Sequence, residues 1–350
     1  MTNHFARSVC ILAVAAYGLL ADAAITQQAA CAAIAGQMPD FAVELVESVD
    51  VKGFPALKIS GHSAQQPVEI ILDANNARLY RLAKGPRTVY EWPGIYVVGH
   101  RGTVTFAPEN TLAAYRKAIE LGAHAIEMDI RQTKDKHYVI MHDATLDRTT
   151  GASGLVAQKT LQELEALDAG KWFGERFAGE RIPTLEQVLD ALSGKAAPDL
   201  DFKAGEVEPF IDLLRARNLV ATATFYSGNP KVLQEVRTLA PELRIRPTVR
   251  PTESGRQAIE ELDPPILNIE GRDFSEALVL EAHLKFRLAF VNMMGGNDTA
   301  EGMQRAVDAG ADFIQTDHLD ILVGLLKDRG LYAKNLPGRP TAFEGLKPLR

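Results

Sequence analysis

Cysteine is almost missing from this sequence: Cys10 and Cys31 are the two in 350 residues. Cys10 lies in a stretch expected to be removed, which leaves Cys31 alone and excludes an intrachain disulfide in the mature chain, even in an oxidising compartment. Gln28 stands three positions before Cys31, where a lipid-attachment signal needs a leucine-like residue, so a lipoprotein is not expected. Long hydrophobic runs are also lacking. Val9 to Leu20 is nearly unbroken but has 12 residues, against the ~20 that a helix needs to cross a bilayer, and no stable membrane insertion is expected. Basic charge is not in excess: 38 Lys+Arg face 45 Asp+Glu, a formal net charge of -7. That balance gives no general attraction to nucleic acid or anionic lipid. Compositional bias is absent too, since 46% hydrophobic and 24% charged residues, with 27 Gly and 18 Pro, describe an ordinary globular chain. Stability must therefore come from a packed core.

The first residues read as an export signal. Arg7 supplies the positive start, Val9 to Leu20 the apolar centre, and Ala21-Asp22-Ala23 the small residues that a signal peptidase reads. The expected mature chain begins near Ala24 and is periplasmic or secreted, with residues 1–23 removed.

From Ile95 onward, short apolar runs alternate with amphipathic stretches. Ile95 to Val98, Ala125 to Ile130, Tyr138 to Met141, Asp199 to Phe202, Ala221 to Phe225, Leu243 to Ile245, Ile266 to Ile269, Leu288 to Val291 and Asp312 to Gln315 are strand-like. Helical spacing separates most of them, as in Thr111 to Leu121, Pro230 to Leu239 and Ala300 to Ala309. This repetition predicts an α/β fold, a (β/α)8 TIM-type barrel over residues 93–335 with a tail at 336–350. An open doubly wound sheet competes, but no Gly-x-Gly-x-x-Gly opens a first helix. Residues 24–92 break the alternation. A helix from about Ala29 to Gln37, and a hairpin of Val68 to Leu72 and Ala77 to Leu82 turning at Asn75-Asn76, predict a small α+β N-terminal appendage.

In such barrels, chemistry resides at the C-terminal ends of the strands. The first run ends in Gly99-His100-Arg101-Gly102, and the second carries Glu127-Met128-Asp129, whose two carboxylates share a face by alternation. The run at Tyr138 is expected to be the third barrel strand, ending in His142-Asp143, and the fourth to end in Asp201-Phe202-Lys203. Each signal has a plain alternative: a satisfied histidine, a solvated acidic face, an Asp201–Lys203 ion pair. However, Ile126, Met128 and Ile130 flank the acids, so the acidic face is the barrel interior, where two carboxylates repel unless a cation sits between them. Together on adjacent strands, these residues point to a metal-assisted acid–base site.

The ordered series His100-Arg101-Gly102, Pro108-Glu109-Asn110-Thr111, Glu127-Met128-Asp129, Thr133-Lys134-Asp135, His142-Asp143, Leu146-Asp147-Arg148-Thr149-Thr150, Asp168-Ala169-Gly170 and Ile182-Pro183-Thr184-Leu185 resembles the glycerophosphodiester phosphodiesterase family. The resemblance runs from about Ile95 to Gly330, and Thr316-Asp317 matches the family's eighth-strand ending. It implies a (β/α)8 barrel that hydrolyses glycerophosphodiesters to glycerol 3-phosphate and an alcohol with one divalent cation, Mg²⁺ or Ca²⁺. By the same resemblance, His100 and His142 are the acid–base pair, and Glu127, Asp129 and Asp201 are metal ligands. Arg101 and Lys203 are phosphate-binding. The implied reaction has the glycerol 2-hydroxyl attack phosphorus and passes through a cyclic phosphate. Two departures stand out. Asp201-Phe202-Lys203 replaces the family's usual Glu-Ile-Lys, a carboxylate one methylene shorter, and Ala289-Phe290-Val291-Asn292 lacks the family's Trp before Thr-Val-Asn.

Charge supports the assignment: three carboxylates and a dication sum to -1, and Arg101 with Lys203 brings the site to +1, which suits a monoanionic diester. Two other readings remain. One is a phospholipase-D-like lyase that releases the cyclic phosphate. The other is a non-catalytic phosphate-ligand barrel, which predicts the loss of at least one acid–base or metal residue, and none is lost.

Overall fold

The computed structural model describes residues 25–249 and 259–336. The expected signal peptide, residues 1–23, lies outside the described residues, as does the tail beyond Leu336. No helix among the described residues is long and apolar enough to cross a membrane.

The chain opens with α1 (Gln27–Gln37), whose first turn is capped by the Thr26 hydroxyl accepting from the Ala29 N–H at 3.1 Å. An antiparallel meander follows, β1 (Phe41–Val51), β2 (Phe54–Ser63), β3 (Gln66–Asp73), β4 (Leu79–Lys84) and β5 (Arg87–Glu91), hydrogen-bonded in that order. The helix and the β3–β4 hairpin follow the sequence expectation, whereas β1, β2 and β5 were not foreseen. One face of the sheet buries Ile59, Ile70 and Leu82 with Ile34 of α1. The other carries a cross-strand ladder of charge: Lys58 lies 3.9 Å from Glu47 and 3.3 Å from Glu69, and Arg81 lies 2.9 Å from Glu69.

Eight parallel strands form the barrel. In chain order they are β6 (Tyr96–Gly99), β7 (Ala125–Gln132), then β9 (Ala197–Phe202), β10 (Thr224–Tyr226), β11 (Arg244–Ile245), β12 (Ile266–Glu270), β13 (Leu288–Asn292) and β14 (Phe313–Thr316). The ring closes between the first residues after β11 and β12, where the Asn268 N–H donates to Pro247 O at 3.0 Å and Val249 N–H to Asn268 O at 2.8 Å. Helices α2 (Leu112–Leu121), α5 (Leu185–Leu192), α6 (Val207–Ala216), α7 (Pro230–Leu239), α8 (Glu276–Leu284), α9 (Ala300–Ala309) and α10 (Leu319–Asp328) lie around it; two short helices, α3 (Asp147–Thr150) and α4 (Leu161–Glu165), sit between β7 and β9. Alternation sorts the strand residues. Val97, Ile126, Met128, Leu200, Phe225, Val291 and Ile314 pack outward against the helices, and Ala125, Ala197, Ile266, Phe290 and Phe313 plug the interior.

One expectation needs correction. Tyr138–Ile140 is a strand, β8, but it pairs antiparallel with β7 through Ile130↔Ile140 and Gln132↔Tyr138, off the barrel path. Residues 133–137 are too few for the crossover that a parallel neighbour needs, a dozen residues or more. β9 is therefore the third barrel strand, and His142 follows a flap rather than a barrel strand.

The N-terminal sheet docks at the end of the barrel opposite the C-terminal strand ends. Arg78 donates from Nε to Gly310 O and from Nη2 to Ala311 O, both at 3.2 Å, just before β14. His283, at the end of α8, bridges Asn76 O at 2.8 Å and Asp312 Oδ2 at 2.9 Å. The barrel mouth is left clear of this module.

Candidate active site

Register places the carboxylates. In the β7–β9 ladder Glu127 stands opposite Asp199 and Asp129 opposite Asp201, so alternate inward positions bring acids together. Glu127, Asp129 and Asp201 are all buried, and one oxygen of each lies within 4.8 Å of the others. Burial, followed by repulsion from Asp129 and Asp201, pushes the Glu127 carboxyl well above its ordinary range. Burial also raises Asp201, against the pull of Lys203. Asp129 goes the other way: although burial opposes its charge, Lys203 and Arg101 hold it low. Lys203 Nζ lies 2.6 Å from Asp201 Oδ2 and 3.1 Å from Asp129 Oδ1, which confirms the ion pair that the sequence allowed.

Backbone geometry places the arginine. Arg101, directly after His100, has φ +49, an uncommon conformation for a side-chain-bearing residue, and Asn110 has φ +57. The strained Arg101 turn aims its N–H at Glu127 Oε2, 2.7 Å away. Gly102 follows because a Cβ there would meet Ala114 Cβ at 2.7 Å. Asn110 completes the corner: its N–H donates to Arg101 O at 3.0 Å, and its Nδ2 to Asp129 Oδ2 at 2.7 Å. Tyr115 donates its hydroxyl to Asn110 Oδ1 at 2.9 Å, fixing the amide. The Arg101 side chain lies 2.9 Å from Glu109 and 3.3 Å from Asp129.

Each histidine is held by a carboxylate. His100 Nδ1 lies 2.8 Å from Asp317 Oδ1, past the end of β14, and His142 Nδ1 lies 2.7 Å from Asp143 Oδ1. In both rings Nε2 is left for another partner. Arg148 and then His142 keep the Asp143 carboxyl far below its usual range. The two histidines, Arg101, Lys203 and the three acids all line one cavity of about 200 Å³. All seven residues expected from the sequence are thus in one place.

The opposite wall was missed. Tyr226, Arg246, Glu270, Asn292 and Gln315 line the same cavity from β10 to β14. Arg246 is fixed by Asp199 at 2.9 and 2.8 Å and by Asn268 at 2.7 Å. Asn292 Oδ1 and Gln315 Oε1 are buried acceptors with no protein donor. Glu109, Asn110, Asp143, Arg148 and Asp317 were quoted within motifs but given no role. Their signal was position beside a site residue.

The donor set can be tested against a cation. Asp201 Oδ1 is buried and has no hydrogen-bond partner, an arrangement that a bound cation would satisfy. Three carboxylates with no sulfur or imidazole in the cluster suit a hard ion such as Mg²⁺ or Ca²⁺.

The chain has relatives in both sequence and fold. The profile of the glycerophosphoryl diester phosphodiesterase family matches residues 100–321. This chain belongs to that family. A glycerophosphodiester phosphodiesterase of Caldanaerobacter subterraneus is 36% identical over 247 residues, 67% of this chain and 98% of that one. The crystal structure of a glycerophosphodiester phosphodiesterase from Agrobacterium tumefaciens is 31% identical, with a TM-score of 0.61, over 66% of this chain and 99% of that one. A phosphodiesterase of Oleispira antarctica, solved with the product sn-glycerol-3-phosphate, is 26% identical with a TM-score of 0.62, over 67% and 97%. As a member of the glycerophosphoryl diester phosphodiesterase family, the protein is an enzyme, a phosphodiesterase that hydrolyses glycerophosphodiesters, and its barrel is the family fold. The family uses a divalent metal, and the Glu127–Asp129–Asp201 cluster is the place in the described residues with the chemistry to hold it.

Proposed function

We propose that the enzyme is exported and cleaves glycerophosphodiesters by a metal-assisted, two-histidine reaction through a cyclic phosphate. The observation that carries this reading is the pair of carboxylate-held histidines facing one cavity with a buried, oxygen-only acidic cluster. A divalent cation held by Glu127, Asp129 and Asp201 would polarise the phosphoryl oxygens and offset charge as the phosphorane forms. Arg101 and Lys203 bind the remaining phosphate oxygens. Asn292 Oδ1 and Gln315 Oε1, lacking protein donors, accept from the glycerol hydroxyls. One histidine takes the proton from the glycerol 2-hydroxyl as its oxygen bonds to phosphorus; the other gives a proton to the departing alcohol. In the second half the roles reverse, and water opens the cyclic phosphate to glycerol 3-phosphate. Asp317 and Asp143 keep each ring oriented through both halves. The export assignment rests on Arg7, the apolar run and Ala21-Asp22-Ala23.

Phosphorus NMR tests the reaction on glycerophosphocholine, glycerophosphoethanolamine and lysophospholipids, after chelation and after adding back Mg²⁺ or Ca²⁺. The expected result is transient cyclic phosphate followed by glycerol 3-phosphate, with activity restored by cation. Cyclic phosphate as the end product would mark a lyase, and full turnover in excess chelator would remove the metal from the reaction.

A further inference from the structure

We propose that Arg148 is the positioning residue for His142, joining the second histidine to the phosphate-binding arginine through one fork of hydrogen bonds. The proposal rests on the acid–base reading of His142 and explains why that residue needs help. His100, Glu127, Asp129 and Asp201 stand on or directly after barrel strands, where the ladder fixes them. His142 does not, because it follows the antiparallel flap β8. Its place must come from other contacts. Arg131 clamps its carbonyl oxygen from Nε at 3.0 Å and Nη2 at 2.6 Å, which fixes the backbone. The ring is set through Asp143.

Arg148 holds Asp143 in turn. Its Nε donates to Asp143 Oδ2 at 2.7 Å, while Nη1 and Nη2 donate to Glu109 Oε2 and Oε1 at 2.8 and 2.7 Å. Glu109 Oε1 also receives Arg101 Nη1 at 2.9 Å. The result is an unbroken path, Arg101–Glu109–Arg148–Asp143–His142, across the barrel mouth. Both carboxylates on it are held in the charged form: Asp143 first by Arg148, and Glu109 by Arg148 and Arg101 against the opposing effect of burial. The arm bearing Arg148 is itself anchored. Leu146, just before α3, is buried with Val156, Leu164 and Ile182, and its N–H donates to Gly154 O at 3.1 Å. The planar guanidinium makes a two-bond fork to Glu109 and a third bond to Asp143, and a lysine ammonium, a single point of charge, cannot reproduce that spread.

The test is a double-mutant cycle of Arg148→Gln with Asp143→Asn on glycerophosphocholine, with Arg148→Lys and His142→Ala alongside. Loss of about 10–100-fold in kcat, larger than the change in KM, is expected for Arg148→Gln, because small misplacement of a reacting group has effects of that size. Arg148→Lys should recover only part of it. In the Asp143→Asn background Arg148→Gln should add little, since both break the same link. Arg148 is 43% exposed in its side chain, and a thermal unfolding scan checks that each variant is folded. Unchanged kcat in Arg148→Gln, or losses that multiply in full with Asp143→Asn, would overturn the positioning role. If His142→Ala kept its turnover, the acid–base reading would fall first. An inactive His142→Ala beside a fully active Arg148→Gln sinks only the role of Arg148.

Discussion

Replacing Glu127 with Gln should uncouple the stability of the protein from divalent cations without weakening the cation-free fold. Three buried carboxylates within 4.8 Å of one another face the charges of Arg101 and Lys203, a local sum of -1 if all are ionised. Burial and two like-charged neighbours make Glu127 the most strained of the three. Gln at this position removes a charge but keeps a carbonyl oxygen for the Arg101 N–H that now reaches Oε2 at 2.7 Å. Without cation, the unfolding midpoint of Glu127→Gln should therefore equal or exceed that of the wild type. With cation the order should reverse. A ligand that binds only the folded state at about 100 times its Kd adds about 2.7 kcal/mol, or about 4 °C for a chain of this length at ~2.1 cal/mol/K of unfolding entropy per residue. The assay is differential scanning calorimetry of chelator-treated protein titrated with Mg²⁺ and, separately, Ca²⁺. A wild-type midpoint indifferent to both cations up to millimolar levels, or an undiminished shift in Glu127→Gln, would show that this acid is not a ligand.

Other outcomes follow from the same geometry. His100→Ala and His142→Ala should each lower kcat by about 10²–10⁴-fold with the fold intact, read by steady-state kinetics beside circular dichroism. Asp201→Asn should weaken cation binding and activity sharply. Asp201→Glu, one methylene longer, should keep substantial activity with an altered preference between Mg²⁺ and Ca²⁺, measured by cation add-back. His124, buried beneath the barrel, accepts the Val97 N–H on Nδ1 at 3.0 Å and donates from Nε2 to Ala333 O at 2.9 Å, so the folded state holds it neutral and burial lowers its pKa from 6.5. Its contribution to stability is complete above about pH 6.5 and is lost as pH falls toward the folded value, with a slope of at most about 1.4 kcal/mol per pH unit. Denaturant titrations from pH 5 to 7.5 should show this slope, and His124→Leu should flatten it.

The barrel was legible because most of its strands are short runs rich in apolar residues, and most of its helices carry an apolar stripe of period 3.6. The limits α7 and α9 match the expected Pro230–Leu239 and Ala300–Ala309 residue for residue. The flap was misread because Tyr138-Val139-Ile140-Met141 is as apolar as a barrel strand, and apolarity carries no direction. The five residues before it, 133–137, held the missing information. β1 was not expected even though Val43, Leu45, Val49 and Val51 alternate with Glu44, Ser48 and Asp50, because Val46-Glu47 inverts the alternation in mid-strand. Within the site, the chemistry-bearing acids and histidines were readable from type and position. Residues such as Asn110, Arg148, Asn292 and Gln315 were not, since polar groups become informative only when the fold shows what they bond or leave unbonded.

The seam between the N-terminal sheet and the barrel should make the two parts fold as one unit. Leu280, Leu284 and Phe286 of the barrel belong to the same apolar cluster as Ile59, Ile70 and Leu82 of the sheet, and Asp312 sits buried between His283 and Arg78. A truncated barrel beginning at β6 would present those apolar side chains to water and leave Asp312 without its arginine. Such a fragment should aggregate even though many relatives are barrels alone in length, and an expression strategy for this enzyme has to begin before α1, not at the barrel.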